Sequence, residues 1–296
     1  MRAVLLICSL FLPVQACAQD ANPDRTLDAV WAETAEAKIL ERDYRDFLDL
    51  LPGLYDNQEQ VYFENELDVD LSKRHNRGSF TVRLEDDGLL SISDSRMKFS
   101  TPVVVFRNSN EKELLGKITP NRKAINLTLG DDCNFTVTRS NAQFFGVGAG
   151  SCKGETLSLS SEALKLSSDI VSISAGNFRR ARLFKCWVSP EKEDGSYGFY
   201  NDVVLHDQGG MAWLSGEDHP RIGIKMRNVV WPTGRNRPSL VLYAYRGEDE
   251  DTAVSYAWTA PQGDRLAINL RWMQASCTLG DADITPSMYL NSESGD

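Results

Sequence analysis

Two hydrophobic periods divide the chain. Leu40, Tyr44, Phe47, Leu48 and Leu51 recur at steps of three and four, the spacing of one helical face. Asn22-Pro23 offers a cap followed by a first-turn proline, and Pro52-Gly53 stops the run, so the pattern predicts a helix over residues 22–51. Such a stripe docks on a partner or, as is far commoner, packs on the protein's own body, which is the expectation here. Beyond Gly53 the period falls to two. Short β-rich runs stand at 80–84, 89–92, 103–106, 125–129, 135–138, 157–159 and 170–173, and the same style continues at 199–205, 222–226, 240–245, 256–258 and 266–272. Many short strands between turn residues predict a barrel or a sandwich. Asp87-Gly88 and Gly130-Asp131-Asp132 mark hairpin turns. The turn-rich stretch from Pro190 to Gly195 marks a boundary, and residues 281–296, without any period, read as a loose tail.

The start of the chain has a different pattern. Arg2 precedes an apolar run from Val4 to Leu12, and Ala16-Cys17-Ala18 forms a small-x-small site, the order of a secretory signal peptide cleaved after Ala18. The run is too short to span a bilayer, and no later segment is apolar for long enough. The rival reading is a lipoprotein box, Val14-Gln15-Ala16-Cys17, in which Gln15 fits poorly. Export places the protein in the periplasm or outside the cell.

Export also changes what the six cysteines mean, because oxidising compartments favour disulfides. Cys8 and Cys17 belong to the leader; Cys133, Cys152, Cys186 and Cys277 remain, and four cysteines permit three pairings. Zinc ligation normally brings two ligands from a Cys-x-x-Cys turn, and the sequence has none. Two structural disulfides are the favoured reading. A Cys133 to Cys152 bridge would stabilise by roughly 3 kcal/mol in the chain-entropy account, and a Cys186 to Cys277 bridge by somewhat more.

Composition narrows the function. With 296 residues, 32 basic and 42 acidic side chains and a net charge of −10, the chain has enough material for about two domains and lacks the positive field of a nucleic-acid binder. The three histidines, His75, His206 and His219, stand in no metal or triad spacing, and there is no His-Glu-x-x-His or Gly-x-Ser-x-Gly. Gly146 to Gly150 lacks the Lys-Ser/Thr of a phosphate loop and reads as a glycine-rich hairpin. Glu248 to Asp251 reads as a solvated turn rather than a Ca²⁺ site. Arg235-Asn236-Arg237 reads as an exposed basic turn, and the sequons at Asn126 and Asn134 fall inside predicted strands.

The densest polar cluster is Gly53 to Gln60, directly after the helix. Adjacent amides, a phenol and carboxylates there suit a cavity mouth that hydrogen-bonds a ligand, or equally a helix-to-strand connection in which Asn57 and Gln60 cap backbone groups.

Phe47-Leu48 followed by Leu51-Pro52-Gly53-Leu54-Tyr55-Asp56-Asn57-Gln58-Glu59-Gln60 resembles the opening motif of the CpcT/CpeT chromophore lyases, Gly-x-Tyr/Phe-x-Asn-x-x-Gln after a helix. His75-Asn76-Arg77 stands where that family has a basic approach to its next strand. Asp132-Cys133, Phe145-Gly146, Ser151-Cys152, Leu159-Ser160-Ser161-Glu162-Ala163 and Ile170-Val171-Ser172 are similar to its later blocks, in order. The resemblance covers about residues 43–187. Ser174-Ala175-Gly176-Asn177 replaces the family's Trp-Asp-Arg-Gly. What the resemblance implies is a calycin-like antiparallel β-barrel whose cavity receives a bilin, a linear tetrapyrrole, for attachment to a cysteine of an acceptor protein. It places Tyr55, Asn57, Gln58 and Gln60 at the cavity mouth, makes Glu64 and His75 candidates for proton transfer, and pairs Cys133 with Cys152.

The expected organisation is therefore a signal peptide at 1–18, a helix and lipocalin-like barrel at 19–187, an all-β unit at 188–280 and a tail at 281–296. The expected function is a chromophore lyase-like protein binding a bilin or similar amphipathic ligand, without a metal. A non-catalytic exported carrier or envelope protein is the alternative, and an interaction module in residues 188–296 is a third reading.

Overall fold

Pro52 and Gly53 end the helical period and start the first strand. A computed structural model describes residues 27–85, 89–90, 99–100, 103–108, 112–121, 123–170 and 173–280. The expected signal peptide, the predicted helix start at 22–26, the Asp87-Gly88 turn, parts of the runs at 89–92 and 170–173, and the tail lie outside these residues. The stripe forms the buried face of α1 (Leu27–Leu50): Tyr44 and Phe47 are buried with Leu51, and Leu40 and Leu48 pack against the same core.

The chain then runs through β1 (Gly53–Asp56), α2 (Gln58–Glu66), β2 (Ser79–Glu85), β3 (Leu89–Leu90), β4 (Phe99–Ser100), β5 (Val103–Asn108), β6 (Glu113–Asn121), β7 (Ala124–Leu129), β8 (Cys133–Ser140), β9 (Gln143–Gly150), β10 (Thr156–Leu159), β11 (Ala163–Leu166) and β12 (Gly176–Ala181). Ten of these strands close an antiparallel barrel in the order β1-β12-β11-β10-β9-β8-β7-β6-β5-β2, with β3 and β4 paired apart. The fold is thus mainly β, a closed barrel after an amino-terminal helix, as the alternation predicts. The run at 170–173 is no barrel strand; Ile170 and Ile173 face each other in an isolated bridge.

Alternation decides what fills the barrel. Phe135 and Val137, Leu157 and Leu159, and Leu164 and Leu166 point inward, where Phe80, Phe106, Phe144 and Phe178 join them. Phe47 of α1 meets Phe144 edge-on at 5.3 Å, and the Tyr44 hydroxyl donates to the Ile118 carbonyl at 3.2 Å. Gly146 to Gly150 is the second half of β9. At Gly148 a Cβ would lie 1.9 Å from the Cys152 carbonyl oxygen, so a side chain there would block the turn that carries Cys152 back to Cys133.

Both disulfides are formed, Cys133–Cys152 and Cys186–Cys277. The second joins residues directly opposite one another on neighbouring strands. Replacing Cys133 and Cys152 together by serine should lower the unfolding free energy by about 3 kcal/mol, read as a lower urea midpoint. An unchanged midpoint would show that the 19-residue separation is already closed by the β8–β9 hairpin.

The second unit begins with β13 (Leu183–Pro190) and continues through β14 (Tyr200–His206), β15 (Gln208–Leu214), β16 (Ile222–Val229), β17 (Ser239–Arg246), β18 (Ser255–Thr259), β19 (Arg265–Leu270) and β20 (Met273–Leu279). The chain leaves the barrel after Ala181, ahead of the turn-rich segment at Pro190 to Gly195. Two four-stranded sheets, β14-β13-β20-β19 and β15-β16-β17-β18, enclose a core of Phe184, Val188, Met226, Leu240, Leu242 and Ile268. Arg182 locks the junction by donating to the buried Asp207 carboxylate at 2.7 Å and to the Pro261 carbonyl at 2.6 Å. Among the described residues no helix is long and apolar enough to cross a membrane.

Candidate functional site

The segment from Gly53 to Gln60 is not a loop. Its first half is β1, paired with β2 and β12, and its second half opens α2. The Asp56 carboxylate accepts from the Gln58 backbone N–H at 2.7 Å, a local turn that lets strand pass directly into helix.

The four expected ligand-binding residues separate. Tyr55 is wholly buried in the barrel, 5.5 Å from Phe80, and its hydroxyl donates to the Leu51 carbonyl at 2.9 Å. Burial raises its pKa to about 12, and the nearby Arg180 cation offsets this only in part. Asn57 is buried as well: its oxygen accepts from the Gly78 N–H at 2.7 Å and its amide donates to the Asn76 carbonyl at 2.8 Å, so it fixes the approach to β2. Gln58 lies across Gly209 of the second unit, where an added Cβ would stand 2.5 Å from its side chain. Only Gln60 faces an open site.

That site lies outside the barrel. The interior is filled by rings, with Phe80 4.8 Å from Phe178 and 6.0 Å from Phe106. The groove, of about 580 Å³, runs between α2, the outward faces of β10, β11 and β12, and Val230 and Pro232 after β16. The alternation that buries Leu157, Leu159, Leu164 and Phe178 turns Ser158, Lys165, Asn177 and Arg179 outward into the groove. Phe63, Leu67 and Val69 form its apolar side. Lys165 is directly opposite Asn177, two residues before Arg179 on the same face, which makes the two cations diagonal neighbours roughly 7–8 Å apart at Cα.

Glu64 and His75, named as proton-transfer candidates, are in contact beside this groove. The Asn177 backbone N–H donates to the Gln60 amide oxygen at 2.7 Å, which fixes that amide and points its nitrogen at Glu64, 2.8 Å away. Glu64 also accepts from the His75 backbone N–H at 2.7 Å and lies 2.7 Å from His75 Nδ1. A carboxylate so close assigns the Nδ1 proton to His75 as donor, and the 2.8 Å approach of the Gln60 nitrogen to Nδ1 is then a contact of two donors around one acceptor. Burial pushes the Glu64 pKa up, but the hydrogen bonds from His75 and Gln60 outweigh it and hold the carboxyl below its ordinary value. Glu64 thus orients the imidazole through Nδ1 and leaves His75 Nε2 outside the contact. His219 is committed elsewhere: Nδ1 donates to the Pro220 carbonyl at 2.8 Å and Nε2 accepts from the Tyr200 hydroxyl at 2.7 Å.

Sequence reasoning missed Phe63, Lys165 and Arg179. Their signal is present as the outward half of each alternating strand, but which outward positions share a groove depends on strand order and on the docking of α2. Among the described residues no cluster of His, Cys, Asp and Glu could hold a metal ion. No family model, no curated protein and no solved structure matches the chain.

Proposed function

We propose that the protein binds a small amphipathic ligand in the groove between α2 and the barrel wall, with the packed barrel as its rigid support. The observation that carries this reading is the groove itself: its volume falls in the range of small-molecule sites, and it sets an apolar side of Phe63, Leu67 and Val69 against Lys165, Asn177 and Arg179. A bilin is the ligand that the CpcT/CpeT resemblance implies; its flat rings match the apolar side and its propionates the two cations. We place the protein outside the cytosol, with the leader removed after Ala18, a reading that the two disulfides support.

Titration of the purified chain with phycocyanobilin tests this. A saturable shift of the visible band is expected, and Phe63→Ala or Lys165→Ala should weaken binding at least tenfold with little change in Tm. Binding of oleate but not of bilin would favour the exported carrier. Binding of neither, or binding indifferent to both substitutions, would overturn the groove assignment.

The lyase reading rests on the Glu64–His75 contact, in which a groove-lining carboxylate orients the imidazole for proton transfer. Adding an acceptor phycobiliprotein to the bilin complex should then yield a covalent adduct with the wild type and not with His75→Ala. A bound bilin that is never transferred would leave a carrier.

A further inference from the structure

We propose that the outer face of the β15–β18 sheet is a platform for a neutral polysaccharide chain, independent of the groove. The two outer faces of the sandwich differ. On one sheet the outward positions are mostly polar, Lys185, Arg265, Asn269, Gln274 and Thr278, with Trp187 among them stacked on Phe199 at 5.6 Å. On the other they include Trp213, Tyr243, Tyr245, Tyr256 and Trp258. The barrel covers part of this second face, where Glu59 of α2 meets Arg227 of β16 at 2.8 Å. It does not reach the edge strand β18, where Tyr256 is 64% and Trp258 69% exposed.

The rings form a strip. Tyr256 and Trp258 are two residues apart on one face, about 7 Å along the strand. Tyr256 pairs with Tyr243, ring centroids 6.2 Å apart. Further along, Trp213 packs on Gly223, where a Cβ would stand 2.7 Å from the indole, and Arg221 covers the ring at 4.0 Å, so this indole closes the strip and the rings open for stacking are Tyr256 and Trp258. Arg221 in turn bonds Glu250 at 2.8 Å.

Flat rings bordered by hydroxyls, a guanidinium and carboxylates match a pyranose, which presents C–H faces for stacking and hydroxyl edges for hydrogen bonds. Nucleobases stack on such strips too, but phosphates would meet the acidic turn from Glu248 to Asp251 and a chain of net charge −10. An anionic membrane surface is disfavoured by the same charge. The remaining stacking ligand is an uncharged glycan.

Native affinity electrophoresis of the full chain in gels containing hydroxyethylcellulose, glycol chitin or galactomannan tests this. Wild type should be retarded at least twofold by one of them. The Tyr256→Ala/Trp258→Ala variant should run as in a polymer-free gel with unchanged Tm, since both side chains are exposed. Phe199→Ala, which removes an exposed ring outside the strip, should remain retarded. No retardation in any gel, or retardation kept by the double variant, would overturn the proposal. So would sedimentation showing a wild-type dimer that the double variant loses, which would assign the face to a second copy of the chain.

Discussion

Arg227→Ala should lower the unfolding free energy by about 3–5 kcal/mol, because it strips a buried carboxylate of its cation. Glu59 and Arg227 are both more than nine-tenths buried between α2 and β16, and Tyr62 covers the guanidinium at 3.8 Å. Glu59 Oε2 has no other partner among the described residues to fall back on. Placing a methionine at 227 and a leucine at 59 together should recover most of the loss, since it removes both charges and keeps the volume. Urea unfolding followed by tryptophan fluorescence measures both. A loss below 1 kcal/mol for Arg227→Ala would mean that water reaches Glu59 and that the interface between the units is looser than its geometry indicates.

Acid should loosen the same interface. His206 is fully buried at the end of β14, and burial, with repulsion from Arg77, lowers its pKa to about 3. Asp56 lies 3.8 Å from its Nε2, yet that carboxylate also faces Arg77 at 3.3 Å, so desolvation prevails and the ring stays neutral. The unfolded chain protonates this histidine near 6.5 and the folded one only near 3. Stability is therefore fully present above pH 6.5 and falls by about 1.4 kcal/mol per pH unit as pH drops towards 3. At pH 5 the wild type should have lost about 2 kcal/mol more than His206→Gln, relative to pH 7. Glu64, held ionised in the folded state, adds its own loss only at lower pH. Parallel pH profiles for the two proteins would show that His206 takes up its proton in the folded state.

The elements that the sequence made legible are those whose pattern is local. The α1 stripe, the turn at Gly130 to Asp132 and the alternating runs of β7, β8 and β17 are set by neighbours within a few residues. The strands it concealed are set by distant partners. In β6, Pro120 interrupts the pattern at the barrel rim; β9 is rich in glycine because Cys152 and Asp132 press on its backbone; β12 carries two consecutive arginines. The largest difference falls on β1 and α2. All of Leu54, Tyr55, Asp56 and Asn57 are buried, and α2 packs on the barrel on one side and on β15 on the other, so neither has a single solvent face to give it a readable period.

The same distinction separates the parts of the site. Local chemistry in the sequence determined a β-rich, acidic chain with four pairable cysteines and a polar cluster after the first helix. It also placed Glu64 and His75 at a spacing that the turn between α2 and β2 brings into contact. Tertiary structure alone decided that Tyr55 and Asn57 are buried supports, that Gln58 faces the second unit, and that only Gln60 reaches an opening. It decided too that the opening lies on the outer wall. Side-chain volume in a closed barrel must be filled, and here aromatic rings from six strands and α1 fill it, so the outward residues of β10–β12 and the apolar side of α2 are left to form the groove.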